Sequence, residues 1–262
     1  MSAAPAPRRR PDSIRQDGPP RGSASATLPV SHAPAGPVGT PSRPAFFKPS
    51  CAPLLWCERL ARVCYRSVEI VVASCGLMLM FPVMIVVAII IKRDSPGPTV
   101  FRQTRIGLNG EPFQFYKFRT LYADARQRWP ELYDYRFTPA EIQTLVFKTD
   151  RDPRVTKVGI WLRRSTLDEL PNLYNLLRGD VAMVGPRPEI YDMLPYYHPD
   201  QMLKFVVKPG LTGMAQVSGR NRLTFQETLS WDMEYVEQRS WRLDVKIIWE
   251  TVKKVLARDG AF

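Results

Sequence analysis

Between Ile70 and Ile91 the chain runs for 22 residues without a charge, IVVASCGLMLMFPVMIVVAIII. A helix of that length reaches across the hydrocarbon core of a bilayer, so the sequence places this chain at a membrane. Two features complicate a simple crossing. Pro82 lies inside the run, where it removes a helical hydrogen bond and clashes with the carbonyl four residues back, predicting a kink or a break. The flanks are basic on both sides, with Arg59, Arg62 and Arg66 before the run and Lys92 and Arg93 after it, so the positive-inside rule assigns no direction. A single span satisfies the length. A helix-break-helix hairpin that enters and leaves by one face accounts for the proline and the flanks as well, and sequence physics leaves both topologies open.

Ahead of the run, residues 1–53 hold 12 of the 25 prolines among many Ala, Gly and Ser. Such a mixture buries too little apolar surface to offset its ordering entropy and reads as a disordered tail. Of the net charge of +12, residues 1–66 supply ten Lys/Arg against three Asp/Glu. The Arg8–Arg10 cluster is followed by no apolar segment, which excludes a secretory signal peptide. Anionic headgroups are the expected partners of this tail, with a solvated tail as the alternative. The four cysteines (Cys51, Cys57, Cys64, Cys75) show no C-x-x-C spacing and read as free thiols in a reducing compartment. With His32 and His198 as the two histidines, chemistry built on several histidines is excluded. The basic excess beyond the tail is modest and matches no nucleic-acid-binding module, so no nucleic acid is expected as a partner.

After the apolar run, two β-prone stretches flank Asn109-Gly110, a β-hairpin signal. Their aromatic residues, Phe113, Phe115, Tyr116 and Phe118, read by default as core, with the membrane interface as the alternative, and Lys117 and Arg119 share one strand face at period two. Residues 122–153 read as a helical excursion. Within it Thr138-Pro139-Ala140-Glu141 predicts a capped helix start, with the proline at the first position and the glutamate at the third. A short apolar strand or turn then leads into a loop stiffened by Pro186 and Pro188, and a long amphipathic stretch runs from Phe225 to about Leu256.

The segment STLDELPNLYN (165–175) puts Asp168 and Glu169 side by side. Ser165-x-x-Asp168 and Thr166-x-x-Glu169 both match a capping box, and an isolated match of this kind does no more than start a helix. Pro171, tolerated only in a first turn, places Asp168 at or just before the helix N-terminus. There the helix dipole and Arg163 or Arg164 would hold it ionised, as a phosphoryl-transfer nucleophile requires. Lys117, Arg119, Arg163, Arg187 and Arg220 all lie in short, turn-bounded motifs, and guanidinium forks suit diphosphate oxygens. With a carboxylate pair and a membrane segment they point to an anionic substrate handled at a lipid surface. The rival from another class is a membrane-anchored, non-enzymatic scaffold that binds anionic lipid or assembly partners.

From about Val68 to Phe262 the chain resembles the monotopic bacterial sugar transferases, the polyprenol-phosphate phosphoglycosyl transferases that start exopolysaccharide and related glycan assembly. The stretches that carry the resemblance are FPVMIVVAIIIKRDSPGPTVFRQTRIGLNGEPFQFYKFRT, DPRVTKVGIWLRRSTLDELPNLYNLLRGDVAMVGPRPE, VKPGLTGMAQVSGRN and WDMEYVEQRSWRLDVKIIWETVKKVL. The resemblance implies transfer of a sugar 1-phosphate from a nucleoside diphosphate sugar, usually a UDP-sugar, to polyprenyl phosphate with release of UMP. It implies Asp168 as the nucleophile, Glu169 as its partner in proton handling, and both as holders of Mg2+. Lys117 and Arg119 fall in the K-F-[KR]-T motif. Arg163 stands five positions before the nucleophile, Arg187 is the Pro-Arg-Pro arginine, and Gly219, Arg220 and Asn221 form a GRN loop assigned to nucleotide binding. Met214 and Ser218 stand where many relatives have Trp and Asn.

The resemblance also selects the hairpin topology, with Pro82 as the break of a re-entrant membrane helix. The resulting expectation is an α+β, helix-rich, monotopic membrane protein with a small β-hairpin and amphipathic interfacial helices. Its parts are the tail (1–53), the re-entrant membrane segment (54–94) and a cytosolic catalytic domain (95–262). It sits at the cytosolic face of the bacterial inner membrane, with membrane lipids and downstream glycosyltransferases as further partners.

Overall fold

The computed structural model describes residues 56–146, 152–219 and 222–257. The expected tail, Arg220 and Asn221 lie outside them. The first element, α1 (Trp56–Asp94), takes in the whole apolar run and continues through Pro82 without interruption. Pro82 has no amide to donate, so the helix runs through it with at least one bond fewer. Within the apolar stretch Met78, Leu79 and Phe81 stand exposed, and Cys64 and Cys75 are exposed free thiols. Length and composition make α1 able to cross a membrane.

One stripe of α1 is buried, and its contacts run antiparallel to the segment from Leu162 to Leu177. Arg66 donates to the carbonyls of Leu176 (2.7 Å) and Leu177 (2.6 Å), and Glu69 accepts from the amide of Met183 at 2.9 Å. Ala73 packs with Leu176 and Val181, and Gly76 faces Leu173. Beyond Pro82, Val87 and Ile91 pack with Phe118 and Leu162. Both halves of α1 therefore rest on the same globular body.

That body begins with an antiparallel hairpin, β1 (Val100–Ile106) and β2 (Pro112–Phe118), paired from Val100↔Phe118 to Ile106↔Pro112. Asn109 (φ 54°) and Gly110 (φ 79°) turn the chain in the left-handed region that Asn and Gly tolerate best. Phe115 and Phe118 are buried, as expected. Two short helices follow, α2 (Ala125–Arg128) and α3 (Pro139–Thr144). The capping box at α3 forms as the sequence predicts: Glu141 donates its amide to the Thr138 hydroxyl, and the Glu141 carboxylate accepts from the Thr138 amide.

Next come α4 (Lys157–Ser165), a 3-10 turn over Leu167–Glu169, and α5 (Asn172–Arg178). The chain then forms β3 (Ala182–Val184) and, after two 3-10 segments, β4 (Gly210–Thr212), which pairs parallel with β3. At this crossing Gly185 and Gly210 bring two backbones together, because a Cβ on either would overlap the other loop. Three helices complete the chain: α6 (Met214–Ser218), α7 (Phe225–Gln238) and α8 (Trp241–Leu256). The single amphipathic stretch expected from Phe225 is thus two helices. Arg239 leaves helical geometry (φ −49°, ψ 122°), and Ser240 starts α8 by accepting from the Leu243 amide. One face of α8 buries Asp244 and Ile247. The other exposes Trp241, Val245, Trp249, Val252 and Leu256, spaced at four, four, three and four residues as an apolar stripe requires.

Candidate active site

The local fold around the acidic pair differs from a capping box. Ser165 turns back and donates to the carbonyls of Trp161 (2.9 Å) and Leu162 (3.1 Å) in the last turns of α4 instead of capping the turn that follows. Thr166 ends α4 in the left-handed conformation (φ 61°) and makes no side-chain cap. Asp168 and Glu169 consequently occupy a tight turn between two helices, with Pro171 at the entrance to α5. Asp168 is 8% exposed.

Lys117 of β2 meets both acids, with Nζ 2.6 Å from Glu169 Oε1 and 3.9 Å from Asp168 Oδ2. Burial pulls the Lys117 ammonium below the usual lysine range, Glu169 and Asp168 oppose that pull, and Arg187 adds to it. The strand and the helix that follows the acidic turn are joined by Asn175, which is fully buried. Its Oδ1 accepts from the Tyr116 amide (3.1 Å), and its Nδ2 donates to Gln114 O (2.6 Å) and Asp180 Oδ2 (3.0 Å). A carboxamide thus takes the place of a third strand on β2.

Arg163, at the end of α4, donates through Nε to Thr120 Oγ1 at 3.2 Å. Burial lowers its pKa, while the charges of Asp152 and Asp168 act the other way. The α4–Thr120 approach requires Gly159, where a Cβ would overlap the Thr120 carbonyl. Arg187 leaves the β3 end and lines a narrow cleft with Phe115, Glu169, Asn172, Pro188, Gly210, Leu211 and Gln216. Lys117, Arg163, Asp168, Glu169 and Arg187 therefore surround one place. Arg119 is committed elsewhere: its guanidinium donates to Pro96 O (2.9 Å) and Ser95 O (2.8 Å) at the exit of α1. Gly219 ends α6, and the other two residues of its loop lie outside the described residues.

The sequence reading missed Arg105. It donates to Pro188 O at 2.5 Å, bracing the Pro-Arg-Pro loop, and stacks over the Phe115 ring 4.6 Å from its centre. Burial first, and Arg187 second, lower its pKa to about 10. The signal that finds it is the hairpin register. With Arg105 opposite Phe113 and Phe101 opposite Lys117, Arg105 and Lys117 share a sheet face. Asn172 and Gln216 were missed as well, and no short motif marks them.

Among the described residues no three His, Cys, Asp or Glu side chains gather around one point. Asp168 and Glu169 still suit a Mg2+ ion that completes its oxygen shell with substrate phosphates and water, since such ions commonly use one or two protein carboxylates.

Residues 60–258 match the family model described as bacterial sugar transferase. The chain belongs to the bacterial sugar transferase family. It is 40% identical over 197 residues to the galactosyl transferase CpsE of Streptococcus agalactiae serotype III, covering 75% of this chain and 43% of that relative. It is 38% identical over 205 residues to a UDP-glucose:undecaprenyl-phosphate glucose-1-phosphate transferase of Caulobacter vibrioides (75% and 71%). It is 34% identical over 197 residues to the exopolysaccharide production protein ExoY of Rhizobium meliloti (75% and 87%). This family member spans a little over two fifths of the length of several relatives it matches, CpsE among them. Its acidic turn, β2 lysine and Pro-Arg-Pro loop all fall within the matched region.

Proposed function

We propose that the chain moves a sugar 1-phosphate from a UDP-sugar to polyprenyl (undecaprenyl) phosphate and releases UMP. The reaction would take place at the cytosolic face of the bacterial inner membrane, as the first membrane step of exopolysaccharide or related glycan synthesis. The observation that carries this reading is the convergence of Lys117 with Asp168 and Glu169 beside the Arg187 cleft. The names of the relatives, which pair UDP-glucose or galactose with undecaprenyl phosphate, support it.

In the first half-reaction a carboxylate oxygen of Asp168 attacks the β-phosphorus of the donor. The bond from that phosphorus to the bridging oxygen breaks, UMP leaves with the electron pair, and the sugar phosphate stays on Asp168 as an acyl phosphate. In the second half-reaction a phosphate oxygen of the polyprenyl phosphate attacks the same phosphorus and Asp168 departs as a carboxylate. Glu169 accepts the proton that a monoprotonated acceptor phosphate gives up. Lys117 fixes Glu169 in place, and Arg163 and Arg187 supply positive charge where phosphate oxygens gather. Asp168 and Glu169 would hold Mg2+, which neutralises diphosphate charge and eases departure of UMP.

The way α1 rests on the body supports the monotopic topology. A crossing would drag the α4–α5 segment into hydrocarbon together with Arg163, Arg164 and the acidic pair, which is costly for charged groups. Both ends of α1 on the cytosolic side, with Pro82 bending the helix within one leaflet and the exposed stripe of α8 at the interface, avoid that cost. The chemical test is UMP release from UDP-sugars with Mg2+ and polyprenyl phosphate, paired with intact-mass detection of a sugar phosphate on Asp168. Asp168→Asn should abolish both, and UMP release retained in that variant would sink the nucleophile assignment. For topology, single cysteines at Ser50 and Glu111 in a cysteine-free background should both react from the cytosolic side. Labelling from opposite sides rules the monotopic reading out.

A further inference from the structure

Two carboxamides in the cleft hold oxygens that accept no hydrogen bond among the described residues. Asn172 Oδ1 and Gln216 Oε1 are both buried and unpaired, and both residues line the cleft with Glu169 and Arg187. Asn172, at the start of α5, is 2% exposed. The orientation of Gln216 is fixed by its own donor, because Nε2 bonds to Leu211 O at 3.2 Å and leaves Oε1 as the presented atom. A buried acceptor without a donor is costly, so native sites reserve such atoms for a partner that arrives with the ligand.

We infer that Asn172 and Gln216 read donor hydroxyls of the sugar ring and set which sugar the enzyme transfers. This rests on the proposed sugar-phosphate transfer. The chemistry of the pair favours the sugar over the base: a hexose ring offers several hydroxyl donors, whereas uracil offers one N–H donor between two carbonyl acceptors. Position favours it too. Asn172 stands three residues beyond Glu169 and four beyond the proposed nucleophile, and the sugar is the moiety that stays on that nucleophile when UMP leaves. Phe115, Pro188 and Leu211 give the sugar ring apolar walls.

The test measures kcat/KM for UMP release from UDP-galactose and UDP-glucose. It then uses analogues of the better donor in which one sugar hydroxyl at a time is replaced by hydrogen, with wild type, Asn172→Leu and Gln216→Met. A site built to bond a hydroxyl rejects the analogue that lacks it. The wild type should therefore favour the intact sugar by about tenfold or more at one or more positions. Each variant should cut that preference to about threefold or less at the position its acceptor reads, while UMP inhibits all three proteins alike. The two residues lie on separate helices, so a folding defect in one variant leaves the other as the test. Preference retained in both variants overturns the inference and leaves the proposed function standing. Loss of UMP inhibition in step with the preference also overturns it, by assigning the acceptors to the nucleotide. Failure of the wild type to release UMP from any UDP-sugar refutes the proposed function, and the inference with it.

Discussion

Replacing Asn175 by leucine tests whether the active site is held together by one buried carboxamide. The change keeps roughly the same volume but removes three hydrogen bonds at once, from the Tyr116 amide and to Gln114 O and Asp180 Oδ2. Asp180 keeps the Arg178 guanidinium at 3.4 Å, so the cost falls on the two backbone groups of β2. Each backbone group stripped of its partner under a fully buried side chain costs ~1–3 kcal/mol, and the added apolar contact returns part of that. A net loss of about 3 kcal/mol corresponds to a fall in Tm of roughly 6–12 °C for a domain of this size. Activity should fall as well, because Lys117 follows Tyr116 and a displacement of order 1 Å costs ~100-fold. Asn175→Asp should be at least as damaging: it retains the Tyr116 bond but turns an oxygen toward Gln114 O and sets a second carboxylate against Asp180. The assay is thermal unfolding in detergent micelles with UMP release measured in parallel. A Tm within about 2 °C of wild type for Asn175→Leu refutes the argument that Asn175 stands in for a strand.

Three other substitutions probe the frame. Lys204 and Asp232 form an ion pair at 3.0 Å with side chains 2% and 1% exposed. Lys204→Met alone should cost ~3–5 kcal/mol in denaturant unfolding by stranding a buried charge, while Lys204→Met with Asp232→Leu should recover most of it; a double variant as unstable as the single contradicts this. Gly159→Ala pushes a methyl into the Thr120 carbonyl and should lower stability by ~1–3 kcal/mol and raise KM for the donor by shifting Arg163, an effect read from unfolding and initial rates together. For Asp152, burial raises the carboxyl pKa but the hydrogen bonds from Arg154 more than reverse this, leaving it below its usual value. A carboxylate with a depressed folded pKa adds stability that is fully present above its unfolded value of about 3.9 and fades as pH falls through the folded value. Asp152→Asn should therefore lower stability at pH 7 and lose less than wild type on acidification below about pH 4, as followed by Tm against pH.

The features legible in the sequence are those encoded by neighbours along the chain. The apolar run declares α1, Asn109-Gly110 declares the hairpin, and Thr138 to Glu141 declares a capped helix, because backbone preference and a few adjacent side chains suffice for each. The hairpin register would have yielded Arg105 too, had it been followed through. The same local logic failed at Ser165 and Thr166, where a capping pattern was outcompeted by the end of the preceding helix, whose carbonyls take the Ser165 hydroxyl.

Tertiary structure alone decided which charges meet. Lys117 and Arg119 share a strand face in sequence, yet Lys117 reaches Glu169, 52 residues away, and Arg119 is spent on the exit of α1. The parallel pairing of β3 with β4, the glycine crossing beneath the cleft and the orphaned oxygens of Asn172 and Gln216 were likewise settled by packing. The physical reason is range. A turn or a cap is a bargain among residues within one helical turn of each other, whereas a site is where separate elements stop against one another, and that depends on the volumes and hydrogen bonds of the whole body.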